Sequence, residues 1–201
     1  TGAEVLARWL SPRRGLILPG NFIPLFEKSE LIVKLDRYMF EHACRWYRSH
    51  LEQGGRPVSL AVNVSKAGLF QNDFVDYYTD IKAKYSIPDR VMELEFTESI
   101  LAADTELFAE LVVNLNARGF ICSLDDFGSG YSSLNLLKNL PIDVLKLDKS
   151  MIDNISSNPK TKAVVESISE ICTKLGIDMV AEGIETEEQF STLRSCGVGL
   201  A

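Results

Sequence analysis

Histidine is scarce in this chain. His42 and His50 are the two present, and both fall on one helical pattern with no acid or cysteine partner in a strand. That argues against a zinc site. Paired cysteines are missing too. Cys44, Cys122, Cys172 and Cys196 are scattered without CxxC spacing, Cys44 in a helix pattern and Cys122 in a strand pattern. They read as reduced thiols, which fits a cytoplasmic setting. No apolar run approaches the roughly 20 residues of a membrane span, and no secretory leader is visible. Tethering of the full-length protein through other segments is left open. Excess positive charge is also lacking: the net charge is −7 and the pI is near 5.0. Duplex nucleic acid is therefore disfavoured as a partner. An anionic small ligand remains compatible if metal ions supply positive charge locally. Internal repeats, linkers and low-complexity segments are absent.

What is present is a chain of 201 residues, 46% of them hydrophobic. That suits one domain with a sizeable core and is too apolar for disorder. Strand and helix patterns alternate. Strands are expected over Gly2–Trp9, 58–64, 91–97, 120–126, 144–148 and 178–182. Helices are expected over 21–29, 31–50, 73–85, 105–118, 132–140, 160–175 and 187–195. In the second helix Leu31, Leu35, Tyr38, Met39, Cys44 and Trp46 are among the apolar positions. Each strand is followed by a helix, as parallel pairing requires. Both ends are expected to be cut, because the chain opens inside a strand pattern and closes on a turn running into a new strand. The expected core includes Trp9, Trp46 and the phenylalanines by default.

Six of the strand patterns carry an acid, an amide or an amine where a buried strand should carry hydrocarbon. Burying one unpaired carboxylate costs several kcal/mol, so such insertions need a common partner. If the strands are parallel neighbours, Glu4, Asn63, Glu95, Asp125, Asp126, Lys146 and Glu182 converge. Five carboxylates, an amide oxygen and an ammonium make a site for hard divalent cations. An open doubly wound sheet draws its site from a few strands at one switch point. Here nearly every strand contributes, which favours a closed (β/α)₈ barrel with its site at the strand ends. Glu4, Leu6 and Arg8 share one strand face, as do Glu93, Glu95 and Thr97.

The ordered motifs Glu4-Val5-Leu6, Asn63 in Val-Asn-Val-Ser, Glu95-Phe-Thr-Glu98-Ser, Asp125-Asp-Phe-Gly-Ser-Gly-Tyr-Ser-Ser133, Leu140-Pro-Ile-Asp-Val-Leu-Lys146-Leu-Asp148 and Ala181-Glu-Gly-Ile-Glu-Thr186 resemble the EAL domain of cyclic-di-GMP phosphodiesterases. Asn21-Phe-Ile-Pro24 and Glu27 are similar to the family's helix after its first motif. The resemblance runs through residues 1–201 and implies an α/β fold, a TIM-like (β/α)₈ barrel of the EAL type, incomplete at both ends. It implies metal-dependent hydrolysis of cyclic di-GMP to linear pGpG with two Mg²⁺ or Mn²⁺ ions. Carried over, Glu4, Asn63, Glu95 and Asp125 would hold one metal. Asp125 would bridge, with Asp126 and Glu182 serving the second. Lys146 would position or polarise the attacking water, Glu182 would share in catalysis, and Glu98 would brace the loop carrying the two aspartates. Arg8 would reach a substrate phosphate and Leu6 would pack against substrate. The resemblance further implies a homodimer through this domain and a regulatory or GGDEF-type domain in the full-length protein.

Plainer readings stand beside these. Glu98 reads equally as a solvated turn acid, Gly128 and Gly130 as turn glycines, and Lys146 as a core-edge lysine with its tip at the surface. Asp148 is open between a site role and capping of backbone amides. Glu185, Glu187 and Glu188 read as a solvated helix start. Asp126-Phe-Gly128 imitates a kinase triplet, but no matching catalytic-loop motif accompanies it. Val5 replaces the alanine of the family signature, and Ser129 its usual threonine. The family's leading strand would lie before Thr1, and a glutamine of its last strand one residue beyond Ala201. Two further functions stay open: a catalytically silent EAL domain that senses cyclic di-GMP, and some other metal-dependent barrel hydrolase. The first would show loss of a metal ligand or of the Asp-Asp loop, and neither loss is seen.

Overall fold

The alternation of strand and helix is realised as parallel pairing with helical crossovers. The computed structural model describes residues 2–101, 104–128 and 137–200, with Leu200 described by its backbone alone. The chain divides into two compact units, Thr1–Glu95 with Ala117–Phe120, and Phe96–Asn116 with Ile121–Ala201.

In the first unit, β1 (Gly2–Val5) pairs in parallel with a later strand, in a register that sets Glu4 beside Ala61. The expected strand to Trp9 does not form. It stops at Val5, and the chain turns into a small hairpin of β2 (Trp9–Ser11) and β3 (Gly15–Ile17), antiparallel around Ser11-Pro-Arg-Arg-Gly15. Gly15 closes that turn at φ +69°, where a side chain would be strained. Helix α1 (Pro19–Lys28) opens with proline in its first turn, where no amide hydrogen is needed. Trp9 rests on it, 5.9 Å from the Phe22 ring and 6.0 Å from Phe26.

Helix α2 (Leu31–Glu52) buries Ile32, Asp36, Phe40, Ala43, Cys44 and Tyr47. Their spacing of three and four is one helical stripe. Of the apolar positions expected there, only Cys44 is buried; Leu31, Tyr38 and Trp46 are exposed. The two tryptophans are therefore not core residues: Trp9 is 44% and Trp46 47% exposed, Trp46 stacking on His50 at 4.8 Å. Phe70 is exposed as well. An apolar count cannot rank helix faces when the buried stripe itself contains an aspartate.

Strand β4 (Ser59–Val64) follows, then a short helix α3 (Lys66–Leu69), α4 (Phe74–Lys84) and β5 (Met92–Thr97). Tyr78 of α4 lies 4.5 Å from both Phe40 and Phe74, and Phe40 lies 6.1 Å from Phe120. Lys82 is buried beneath them. It pairs with the Asp89 carboxylate, donates to the Arg118 carbonyl at 2.7 Å, and lies 5.3 Å from the Phe120 ring centroid. Asp36 accepts from the Ser65 amide at 3.0 Å and the Ser65 hydroxyl at 2.6 Å. Burial outweighs those bonds and the nearby Glu27 adds repulsion, so its carboxyl is pushed up to about 6.

The second unit begins with the end of β5 and a 3₁₀ turn, Glu98–Ile100, followed by α5 (Thr105–Ala117). Strand β6 (Ile121–Phe127) pairs in parallel with β7 (Val144–Leu147). A one-turn helix α6 (Lys149–Ile152) and the long α7 (Pro159–Leu175) come next. Then β8 (Asp178–Ala181) pairs with β7, α8 (Glu187–Ser195) crosses over, and β9 (Gly199–Leu200) pairs with β8, again in parallel. Helix α8 starts on a capping box between Thr186 and Gln189. The expected helix over 132–140 lies mostly outside the described residues, as do Ser129 and Gly130. The four cysteines are free and buried, as the reading of reduced thiols requires.

Two stability outcomes follow from this packing. Phe40→Ala should lower stability in urea unfolding by about 3–5 kcal/mol, since it opens a cavity at a fully buried ring. Tyr78→Phe should be neutral or stabilising by up to about 1 kcal/mol, because no described residue hydrogen-bonds its buried hydroxyl; an equal loss in both variants would overturn this. Asp36 gives a pH signature. Its carboxyl titrates higher folded than unfolded, so the folded state holds the proton more tightly. Its contribution to stability is therefore greatest below the ordinary value of 3.8 and is lost as pH rises through about 6. Melting temperatures taken across that window should fall in the wild type and fall less in Asp36→Asn.

Candidate active site

Each unit carries its own set of the polar strand residues. In the first, Glu4 and Asn63 sit on paired strands, Glu4 opposite Ala61 and Asn63 two residues further along β4. Asn63 is the exposed break in an otherwise buried strand, between Val62 and Val64. Its side-chain amide donates to Glu4 Oε1 at 2.8 Å, which turns the Asn63 oxygen away from the acid and leaves it as an acceptor. Glu95 on β5 is 1% exposed, a carboxylate placed inside the unit by the alternation of the strand. Oxygen is the ligand atom that these three residues offer a cation.

In the second unit the geometry turns on an irregularity. Pairing between β6 and β7 sets Leu124 beside Leu145 and Phe127 beside Leu147, with a register shift between them. Asp125 and Asp126 together therefore oppose Lys146 alone. That is a β-bulge, which re-aims side chains that a regular pleat would send to opposite faces. Asp126 takes φ +57°, a left-handed conformation that a non-glycine residue adopts at a cost. Its amide donates to Asp125 Oδ1 at 2.8 Å. Burial raises the Asp126 carboxyl above the usual carboxylate range, and Asp148, Glu182 and Glu98 raise it further by repulsion.

Lys146, 7% exposed, answers that crowding. Its ammonium donates to Glu182 Oε1 at 2.8 Å. Asp148 caps α6, accepting from the Ser150 amide at 2.9 Å; a hydrogen bond from the Ser150 side chain, helped by the amides of Ser150 and Lys149, holds its carboxyl below the usual range. This is the capping reading of Asp148. Glu98 accepts from the Gly128 amide at 3.3 Å, just beyond the two aspartates. Gly128 has φ +99°, and a β-carbon there would meet the Met151 side chain at 2.4 Å. The loop after Glu182 is tied by Gln189, whose Oε1 accepts from the amides of Glu185 at 2.8 Å and Thr186 at 3.0 Å. Glu185 is exposed and pairs with Lys149 at 2.5 Å at the surface, and Glu187 and Glu188 are exposed in the first turn of α8, so all three are solvated acids.

Leu6 and Arg8 are both exposed, in the segment between β1 and β2, so the expectation that they share a strand face with Glu4 is corrected. Arg8 bonds the Ala7 carbonyl at 2.9 Å. Among the described residues, no group of three or more His, Cys, Asp or Glu side chains is gathered to hold a metal ion. The chain's own donors take up the acids instead: Asn63 with Glu4, Lys146 with Glu182, Gly128 with Glu98. The donor chemistry nevertheless fits a hard divalent cation, since it is carboxylate and amide oxygen throughout. Sequence reasoning missed the bulge, the Gln189 tie and the Asp36–Ser65 bond. The Thr186–Gln189 spacing and a buried-stripe aspartate in α2 were the signals available for the last two.

The bulge yields an outcome in the absence of metal. Asp126→Gly should raise stability by about 1 kcal/mol, because glycine suits the left-handed backbone and the variant removes one acid from a repelling set. Gly128→Ala should lower it, being strained in φ and obstructed by Met151. Chemical denaturation of both variants in chelator checks the pair, and a loss in Asp126→Gly would contradict the strain.

Comparison with known proteins agrees with these motifs. The family model described as "EAL domain" matches residues 1–201. The chain is 34% identical over 201 residues to "Cyclic di-GMP phosphodiesterase PA2567" of Pseudomonas aeruginosa, covering 98% of this chain and 33% of that protein. It is 36% identical over 193 residues to "Probable cyclic di-GMP phosphodiesterase PdeG" of Escherichia coli, covering 96% of this chain and 38% of that protein. The chain thus spans about a third of the length of these curated relatives. A solved structure described as "PaMucR Phosphodiesterase, c-di-GMP complex" superposes with a TM-score of 0.90 at 37% identity, covering 99% of this chain and 81% of that one. The fold class is the α/β, TIM-like barrel of those domains, of which the described parallel strands form part. The chain belongs to the EAL domain family.

Proposed function

We propose that this domain hydrolyses one phosphodiester bond of cyclic di-GMP to linear pGpG, using two Mg²⁺ or Mn²⁺ ions. The observation that carries the reading is the bulge at Asp125 and Asp126 facing Lys146, with Lys146 bonded to Glu182. The names of the relatives and the ligand named for the PaMucR structure support the substrate. Glu4, Asn63, Glu95 and Asp125 would hold one ion, and Asp125, Asp126 and Glu182 the other. When bound, the ions would offset the phosphodiester's charge and lower the pKa of water at the site.

The chain's own residues divide the remaining work. Asn63, its amide hydrogen committed to Glu4, presents its oxygen. Glu98 fixes the Gly128 end of the aspartate loop, so both acids of the bulge are presented by a braced backbone. Lys146 is buried, carries donors only, and is oriented by Glu182 Oε1. It orients the attacking water or a phosphate oxygen through its ammonium. Glu182 can take up the water's proton at its carboxylate as the water oxygen joins phosphorus and the ester P–O bond breaks, and the departing ester oxygen takes a proton from solvent to leave as a hydroxyl. Arg8, exposed beyond β1, pairs with a substrate phosphate, and Leu6 packs on the nucleotide.

A regulatory or GGDEF-type domain in the intact protein belongs to the same proposal. The chain's share of its relatives supports it, as does a further relative named "Bifunctional diguanylate cyclase/cyclic di-GMP phosphodiesterase MucR". The homodimer rests on the family resemblance. Among the described residues no helix is long and apolar enough to cross a membrane.

Two measurements test the reading against a silent cyclic-di-GMP sensor. Chelation of the intact protein should abolish turnover, Mg²⁺ or Mn²⁺ should restore it, and Ca²⁺ should restore it poorly because its looser shell holds reacting groups less firmly. Undiminished turnover in chelator would reject the metal assignment. Lys146→Ala should lower kcat by about 10²-fold or more with a much smaller change in substrate Kd. An unchanged kcat with a large rise in Kd would move Lys146 to a binding role, and wild-type protein that binds without turnover would favour the sensor.

A further inference from the structure

Asp36 lies on a helix, far along the chain from every polar strand residue, yet it is 6% exposed and bonded to the segment leaving β4. We infer that Asp36 and Ser65 form a positioning pair that fixes the exit of β4 and, through it, the side chain of Asn63. The inference rests on the proposed role of the Asn63 oxygen as a metal ligand.

The path is short and directional. Asn63 is followed by Val64, 3% exposed and anchored in the core, and then by Ser65. Asp36 Oδ2 accepts both the Ser65 amide at 3.0 Å and the Ser65 hydroxyl at 2.6 Å. With its hydrogen committed to Asp36, the Ser65 hydroxyl presents a lone pair, and Ser65 Oγ accepts from the Gly68 amide at 3.0 Å, capping α3. The carboxylate thus sets the hydroxyl's direction, and the hydroxyl starts the helix that ends the strand's extension.

Space around the pair is closed. A β-carbon on Gly68 would come within 2.6 Å of Asp36 Oδ2 and 3.3 Å of Ser65 Oγ, so the glycine is what allows the approach. Glu27 is the charged neighbour that acts on Asp36, and it repels rather than pairs. A carboxylate kept under burial and repulsion, with both bonds going to one serine, is costly for stability alone. Both bonds go to the one oxygen Oδ2, so asparagine at 36 could still accept them with its amide oxygen, whereas alanine removes the acceptor. With alanine at 36 the direction of the hydroxyl would be lost. Outer residues that orient a metal ligand typically change metal affinity by about 10–100-fold when altered.

The test uses Asp36→Ala and Ser65→Ala in the intact protein, with Asp36→Asn as the conservative variant, beside Asn63→Ala. Mn²⁺ binding is titrated by calorimetry without substrate, and kcat and KM for cyclic di-GMP are measured at saturating Mn²⁺. Asp36→Ala and Ser65→Ala should each weaken Mn²⁺ binding about tenfold with KM unchanged, Asp36→Asn should stay near the wild type, and either disrupting change combined with Asn63→Ala should add little further. A purely structural pair would lower the melting temperature and leave Mn²⁺ affinity as in the wild type, which overturns the inference. If Asp36→Ala does not fold, Ser65→Ala decides on the same criteria. If Asn63→Ala itself leaves Mn²⁺ binding unchanged, the ligand assignment fails; if it weakens binding while Asp36→Ala and Ser65→Ala do not, only the positioning pair fails.

Discussion

Two residues of β6 face one residue of β7, and much of the second unit is arranged around that mismatch. A regular pleat would carry Asp125 and Asp126 to opposite faces. The bulge presents them together and requires a left-handed aspartate to do so. The surroundings over-determine the strain, as such positions need. Glu98 takes the Gly128 amide, Met151 occupies the space beside Gly128, and Lys146 stands opposite with Glu182 attached. Repulsion from Asp148, Glu182 and Glu98 adds to burial in raising the Asp126 carboxyl.

The first unit solves a similar problem with neutral groups. Glu4 is answered by the Asn63 amide, and Asn63 stands between buried valines that leave its backbone little freedom. Asp36 is answered by a serine. Glu4 and Asp36 are thus oriented by hydrogen bonds from neutral groups, whereas Glu182 is held by an ion pair with Lys146. That difference has an ionic-strength consequence. Salt screens an ammonium–carboxylate pair at a half-exposed glutamate more than it weakens an amide–carboxylate bond.

Much of this was legible in the chain. Helices long enough to show a 3.6-residue period appeared where expected, among them Leu31–Glu52, Thr105–Ala117 and Pro159–Leu175. Asp125, Asp126 and Glu182 lie at the ends of their strands as expected, because an acid in an apolar strand is costly and persists where a partner or a ligand answers it. What escaped notice had no period to reveal it. Lys66–Leu69 and Lys149–Ile152 are single turns, and the run to Trp9 that reads as one strand leaves β1 at Val5 before the hairpin at Trp9–Ile17. The bulge is invisible to alternation, because alternation is the rule it breaks. Trp9 and Trp46 were misplaced because aromatic size predicts average burial and says nothing about which helix or hairpin face meets the core.

Those same tryptophans have a use. The chain contains two, and both belong to the first unit, Trp9 against Phe22 and Phe26 and Trp46 against His50. The second unit, with the bulge and Lys146, contains none. Intrinsic tryptophan emission from this domain is thus a local optical readout. It reports the environment of the unit that holds Glu4, Asn63 and Glu95 and is dark to the other, so the two can be followed separately by adding a single indole to the second.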